Sequence, residues 1–139
     1  MVAQAAAGSA DDWWIIGSAA VALHCGRTEQ VKDVDLLMSA RDADRFLRCV
    51  GVEPRRGTRD DRFRSVVFGT WVQPPVSVEA FGGFEVVIDG MWCEVTLTTR
   101  ESVTIGGAKV YVPKREELVR LLRAFGRPKD LNRAKLLSG

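Results

Sequence analysis

Histidine and cysteine, the residues from which zinc sites and disulfide frameworks are built, are scarce in this chain. His24 is the only histidine among 139 residues, and Cys25, Cys49 and Cys93 are odd in number and far apart, with no Cys-x-x-Cys pair. Zinc-ligand spacing is therefore missing. Three scattered thiols in a domain of this size are expected to stay reduced, which points to a cytoplasmic protein. No apolar run approaches the roughly 20 residues of a membrane-spanning helix. The alanine-rich start, Ala3 to Ala10, has neither the basic region nor the long apolar stretch of a signal peptide. An excess of one charge is missing too. Against 18 Asp and Glu stand 20 Lys and Arg, a net +2, so any attraction for polyanions has to be local, as at Arg55, Arg56, Arg59, Arg62 and Arg64. There is no internal repeat.

What is present suits one ordinary domain. Apolar residues make up 46% and charged residues 27% of the chain, close to ordinary soluble usage, which removes the compositional case for disorder or a coiled coil. Residues 1–12 read as a flexible lead-in and 13–139 as a single domain. Trp13 to Ile16 is a bulky apolar run suited to a short buried strand. Gly17 ends it, and Ala19 to Leu23 form a helix opened by Ser18 as N-cap and closed by Gly26. After a polar loop from Arg27 to Gln30, a second strand spans Val31 to Met38. Ser39 and Asp42 then open a helix whose buried side is Phe46, Leu47 and Val50.

Glu53 to Arg64 carries Pro54, Gly57 and mixed Arg and Asp without apolar periodicity, and reads as a mobile surface loop. Strands are expected at Val66 to Phe68, Val76 to Phe81, Phe84 to Ile88 and Trp92 to Leu97, with a tight hairpin turn at Asp89-Gly90. A weaker pair, Val103 to Ile105 and Lys109 to Val112, surrounds Gly106-Gly107. Leu118, Leu121, Leu122 and Phe125 mark a helix stopped by Gly126. A last short helix starts at Asp130 with Leu131, Ala134 and Leu137 inward. Alternating strands and helices followed by a run of strands predict an α+β layer architecture.

Two segments carry chemistry. Asp33 and Asp35 lie two apart in an apolar strand, so they share a face about 7 Å apart, while Val34 and Leu36 take the other. Two like charges there would weaken the strand unless a divalent cation turned the repulsion into shared coordination. Gly17, in the turn before the first helix, lets a phosphate approach the main chain. Ser18 adds a hydroxyl, and the helix start favours an anion. The plain alternative is a chain-turning helix cap. A third carboxylate on a neighbouring strand would complete a metal site. Glu79 interrupts the apolar run Val76 to Phe81 in the same manner as the Asp pair; Glu85, Asp89 and Glu94 are rivals. His24, at a helix end, reads as a packing residue. The tryptophans Trp13, Trp14 and Trp92 read as core, and Trp71, before a proline-rich turn, is the one candidate to stack a base.

This pattern resembles the nucleotidyltransferase superfamily that includes DNA polymerase beta, the minimal nucleotidyltransferases and the AbiEii-type toxins. The shared features are an apolar strand ending in Gly-Gly or Gly-Ser, a helix, Asp-x-Asp in the next strand, and a later third acid. Gly17, Ser18, Asp33 and Asp35 match the first parts, with Glu79 standing where Asp is commoner. Val112-Pro113, the leucine-rich helix and Gly126 to Leu131 are similar to the end of small stand-alone members. The resemblance implies a minimal nucleotidyltransferase-like mixed β-sheet with helices packed on it. It also implies Asp33, Asp35 and Glu79 as catalytic residues holding Mg²⁺ or Mn²⁺. Gly17, Ser18 and Lys129 would be nucleotide-binding residues, and a nucleoside triphosphate the donor substrate.

The acceptor is left open between RNA, a protein and a small molecule, and a protein partner or homodimer could complete its surface. The alternatives are a catalytically inactive module of the same fold, binding a nucleotide, RNA or a protein partner, and the toxin of a toxin-antitoxin pair.

Overall fold

The computed structural model describes residues 2–26 and 31–138. Its elements, in chain order, are α1 (Val2–Ala6), β1 (Trp14–Ile16), α2 (Gly17–Cys25), β2 (Asp33–Met38), α3 (Ala40–Cys49), β3 (Arg55–Arg59) and β4 (Phe63–Trp71). They continue with β5 (Ser77–Gly82), β6 (Glu85–Ile88), β7 (Met91–Glu94), β8 (Glu101–Ile105), β9 (Ala108–Val112), α4 (Arg115–Phe125) and α5 (Pro128–Ser138). The polar loop expected at Arg27 to Gln30 falls outside the described residues.

One mixed sheet organises the molecule, with strand order β1-β2-β5-β4-β6-β7 and β3 added beside β4. Among the described residues only β2 and β5 run parallel; the other pairs in this sheet are antiparallel. The two faces follow from the period-2 alternation of each strand. On one face Leu36, Met38, Val67, Trp71, Val78 and Ala80 are buried with Phe46 and Leu47 of α3, in the larger core cluster. Gly69 and Gly82 are small on this face because α3 lies against them. A Cβ on Gly69 would meet the Leu47 methyls at 2.8 Å, and one on Gly82 would meet Ala43 Cβ at 2.6 Å. The opposite face carries Asp33, Asp35 and Leu37 of β2 beside Glu79 and Phe81 of β5. A second cluster of Ile16, Leu37, Phe84, Val86, Leu121 and Phe125 brings α4 against part of that face.

Three buried carboxylates hold the connections in place. Asp42 accepts the amides of Ala10 and Asp11 at 2.9 and 2.8 Å, so the segment before β1 is fastened to the start of α3, and Ala6 of α1 is buried in the core. Glu117 accepts the amides of Thr98 and Thr99, both at 2.8 Å, fixing the chain ahead of β8 onto α4. Asp130 is 1% exposed and bonds Arg127 Nε at 2.6 Å, with Arg133 at 3.8 Å on its other side. Each acid is satisfied, as buried charge requires.

Several expectations shift. Arg55 to Arg59, expected within a mobile loop, is an edge strand paired with β4. It lacks apolar periodicity because most of it faces water on both sides. The turn that follows is held by Asp60, which accepts the amides of Arg62 and Phe63 at 2.8 Å. Ser39 caps α3 as expected, accepting from the Asp42 amide. Ser18 caps nothing: Ile16 occupies the N-cap position of α2, with no side-chain cap. The last helix begins at Pro128 rather than Asp130, proline being suited to a first helical position. Its inward stripe is Asp130, Ala134 and Leu137, while Leu131 is 44% exposed, because the ion-paired Asp130 takes the inward place. No helix among the described residues is long and apolar enough to cross a membrane.

The close approach of α3 makes a specific prediction. Gly82→Ala is expected to destabilise the fold by about 1–3 kcal/mol through overpacking against Ala43. Urea unfolding checks it, and an unchanged midpoint would mean that α3 sits farther from β5.

Candidate metal and phosphate site

The site grows from β1, β2 and β5, three neighbouring strands at one end of the sheet. In the parallel pairing of β2 with β5, Asp35 stands directly opposite Glu79, and Asp33 lies one face-repeat earlier on β2. All three are half-buried, and one carboxylate oxygen from each lies within 4.8 Å of the others. The side chains therefore converge more closely than their positions along the strands require. On the other side of β2, Ile16 of β1 pairs with Asp35, so the residue after Ile16 starts α2 beside that carboxylate.

Gly17 makes this neighbourhood possible. Its φ is +66°, a left-handed conformation that glycine adopts without penalty, and a Cβ there would lie 2.7 Å from Asp35 Oδ2. The turn and the carboxylate thus occupy space that no other residue type would leave. Ser18 lies in the first turn of α2, whose leading amides have no side-chain cap. Gly17, Asp33, Asp35 and Glu79 are brought together. Lys129 is exposed in the first turn of α5, near enough to Glu79 to favour its ionised form.

Crowding of negative charge is visible in the titration of the acids. Asp35 is pushed up to about 7, first by burial and then by repulsion from Asp33 and Glu79, with Arg133 and Arg127 opposing. Glu79 is raised by burial and by Asp33, with Arg55 and Lys129 opposing. Two cations, Arg127 and Arg133, thus face Asp35 from α5 and its approach, both held by Asp130. Sequence reasoning passed over them. Their signal was the spacing Arg127-x-x-Asp130-x-x-Arg133, which sets a cation three residues to either side of one acid.

The rival acids have other partners or positions. Glu85 is bidentate to Arg64 at 3.0 and 3.1 Å, and Asp89 sits in the β6–β7 hairpin turn with φ +51°. Glu94 is exposed on β7, opposite Glu85. His24 Nε2 lies 2.8 Å from the Pro113 carbonyl, a packing role. Trp71 is buried edge-on against Phe46, on the face away from the acids, and is not placed to stack a base there.

The donor set suits a hard divalent cation. Three carboxylates offer only oxygen, the preference of Mg²⁺ and Mn²⁺, and the cluster contains no thiolate or imidazole that would select a softer metal. The glycine cradle and the mutual repulsion of the acids agree with that choice, since a cation between them would remove the cause of the repulsion.

No protein-family model matches the sequence, and neither does any curated protein. Solved structures do match. A Thermotoga maritima protein provisionally assigned as a nucleotidyltransferase superposes with a TM-score of 0.76 at 22% identity, covering 99% of this chain and 86% of that one. The lincosamide antibiotic adenylyltransferase LnuA, in its lincomycin-bound form, gives 0.54 at 11% identity over 92% and 86% of the two chains. The antibiotic-resistance factor ANT(2'')-Ia gives 0.52 at 13% identity over 90% and 72%. The chain therefore has the nucleotidyltransferase fold, an α+β arrangement of mixed sheet and helices, as the sequence resemblance implied.

The elevated Asp35 carboxyl has a consequence for stability. With about 7 in the folded chain against an ordinary 3.8, the folded state holds the proton more tightly, so stability falls as pH rises through this window and the penalty is complete above it. In chelator at pH 8, Asp35→Asn is expected to be more stable than the parent by about 1–3 kcal/mol, an advantage that shrinks towards pH 4. Thermal melts across pH test this; a difference that does not change with pH would refute the electrostatic origin.

Proposed function

We propose that this protein is a metal-dependent nucleotidyltransferase, transferring a nucleotidyl group from a nucleoside triphosphate to an acceptor hydroxyl with release of pyrophosphate. The observation that carries the reading is the convergence of Asp33, Asp35 and Glu79 beside the Gly17 turn. The matching fold supports it, and so does the adenylyltransferase activity named for LnuA.

Each residue has a role that its position suits. Asp33 and Asp35 would hold Mg²⁺ or Mn²⁺, with Glu79 completing the ligand set. The cation, when bound, supplies charge neutralisation to the triphosphate oxygens and to the departing pyrophosphate. Gly17, Ser18 and the leading amides of α2 would receive the β or γ phosphate, which the helix start favours. Lys129, whose charge reaches Glu79, adds a positive group beside the acids.

The chemistry is an in-line displacement. The acceptor oxygen forms a bond to the α phosphorus as the bond from that phosphorus to the bridging oxygen breaks, and pyrophosphate leaves. Glu79 accepts the acceptor's hydroxyl proton. Arg127 and Arg133 add positive charge beside Asp35, which would help to offset the negative charge developing in the displacement.

Calorimetric titration of ATP, GTP, CTP and UTP, each with and without Mg²⁺, tests the reading. Binding of at least one triphosphate is expected to require the metal and to fall by a factor of about 100 or more in the Asp33→Ala, Asp35→Ala protein. Gly17→Ala should weaken it as well, because the added methyl displaces Asp35. Absence of metal-dependent binding for all four nucleotides in the parent protein would defeat the proposal.

A further inference from the structure

The row of residues next to the acids on the same sheet face has a different character. Crossing the sheet at Leu37 rather than Asp35, the register runs Trp14, Leu37, Phe81, Phe68, Arg55. Phe81 is two residues beyond Glu79 on β5, so its ring shares the face of the acids. Phe68 packs on Phe81 with ring centroids 5.0 Å apart, and Phe81 on Phe84, also at 5.0 Å. Phe63 stacks on Phe84 at 5.6 Å. Of these four rings only Phe84 is fully buried; Phe63, Phe68 and Phe81 keep part of their surface open.

What they open onto is a cavity of about 230 Å³ against β3 and β4, whose charged wall includes Arg55 and Arg59. Arg55 lies over the Phe68 ring at 5.0 Å, and Arg59 lies 5.8 Å from the Trp92 ring. Among the described residues neither forms an ion pair, whereas Arg56 is bound to Asp44 and Arg64 to Glu85. Asp60, the acid on this cavity's wall, accepts two backbone amides on Oδ1 and leaves one negative charge there against the two guanidinium groups. Two guanidinium groups without carboxylate partners, beside part-exposed aromatic faces, form a pocket complementary to a flat anionic molecule.

Its place relative to the acids decides what it would hold. The Gly17 turn lies on the β1 side of Asp35, and the cavity lies beyond Glu79, on the β4 side. A donor triphosphate on the turn and a nucleophile deprotonated at Glu79 would therefore approach from opposite sides. The cavity is an open recess whose volume seats one ring with its substituents.

We propose that this cavity is the acceptor site and that it takes a planar ring bearing a phosphate or a carboxylate, with the ring against Phe68 and Phe81 and the anion on Arg55 and Arg59. The assignment as acceptor site rests on the nucleotidyl-transfer reading of the three acids. A cationic acceptor is repelled by the same wall. Phosphate and carboxylate sources share the chemistry, and separate probes distinguish them.

The test uses the full chain in chelator, so that the metal-dependent donor site is silent, with phenyl phosphate and benzoate as probes followed by ligand-observed NMR. Inorganic phosphate, benzyl alcohol and benzylamine are the controls. At least one of the two anionic aryl probes should bind, with the tighter one naming the anion. Each control should bind at least tenfold more weakly. Arg55→Ala, Arg59→Ala should weaken the aryl anion by tenfold or more, and Phe68→Leu should weaken it by a smaller factor.

Both arginines are exposed, so the double variant is expected to keep its melting temperature; Arg55→Gln, Arg59→Gln repeats the test if it does not. Equal affinity in the arginine variants, or benzylamine matching the aryl anions, overturns the cavity's proposed chemistry. Metal-dependent triphosphate binding with no aryl-anion binding overturns this proposal alone. Aryl-anion binding in a protein that binds no triphosphate overturns the acceptor role together with the transfer reading.

Discussion

Three carboxylates held within 4.8 Å of one another are the constraint around which this molecule is arranged. Such a group resists assembly, because each acid raises the cost of ionising the next. The chain supplies the compensation from separate places. The parallel pairing of β2 and β5 sets Asp35 against Glu79, and Gly17 yields the space that Asp35 needs. Arg127 and Arg133 are anchored by a buried Asp130 where their charge reaches Asp35, while Arg55 and Lys129 reach Glu79. Those cations relieve the repulsion without removing it. The residual proton affinity of Asp35 is what a divalent cation would discharge on binding.

The two faces of the sheet divide the work. The face under α3 is filled by aliphatic and aromatic side chains, and its glycines at 69 and 82 exist so that the helix can lie close. That packing holds the strands in register. The opposite face carries the acidic row and, one step along, the aromatic row that ends in Arg55. A register slip of one residue between β2 and β5 would exchange acids for apolar residues on both faces, so the site is specified by the same alternation that builds the core.

The site's centre was legible in the sequence because its parts are local or periodic. Gly17-Ser18 follows an apolar run directly, Asp33-x-Asp35 needs only the two-residue period of a strand, and Glu79 stands out as a charge inside an apolar run. What stayed hidden depends on partners distant in the chain. Arg55 to Arg59 reads as loop because an edge strand exposed on both faces shows no apolar period, and only its pairing with β4 makes it a strand. Asp130 reads as the start of the last helix because nothing in sequence says that a charge is buried, and with Asp130 ion-paired inward to Arg127 and Arg133, Leu131 faces out. Ser18 reads as a cap from its type alone, although the helix had already begun at Gly17.

The parallel joining of β2 to β5 also bears on how the molecule comes into being. Parallel neighbours cannot be linked by a tight turn, and here α3, β3 and β4 intervene along the chain between the two strands. The acids of β2 and the glutamate of β5 are therefore strangers until a long loop has closed, and that closure costs entropy before the pairing repays it. No fragment ending before β5 can present all three acids, however well its helices form. The three-carboxylate cluster is therefore complete only once the long-range pairing of β2 with β5 has formed.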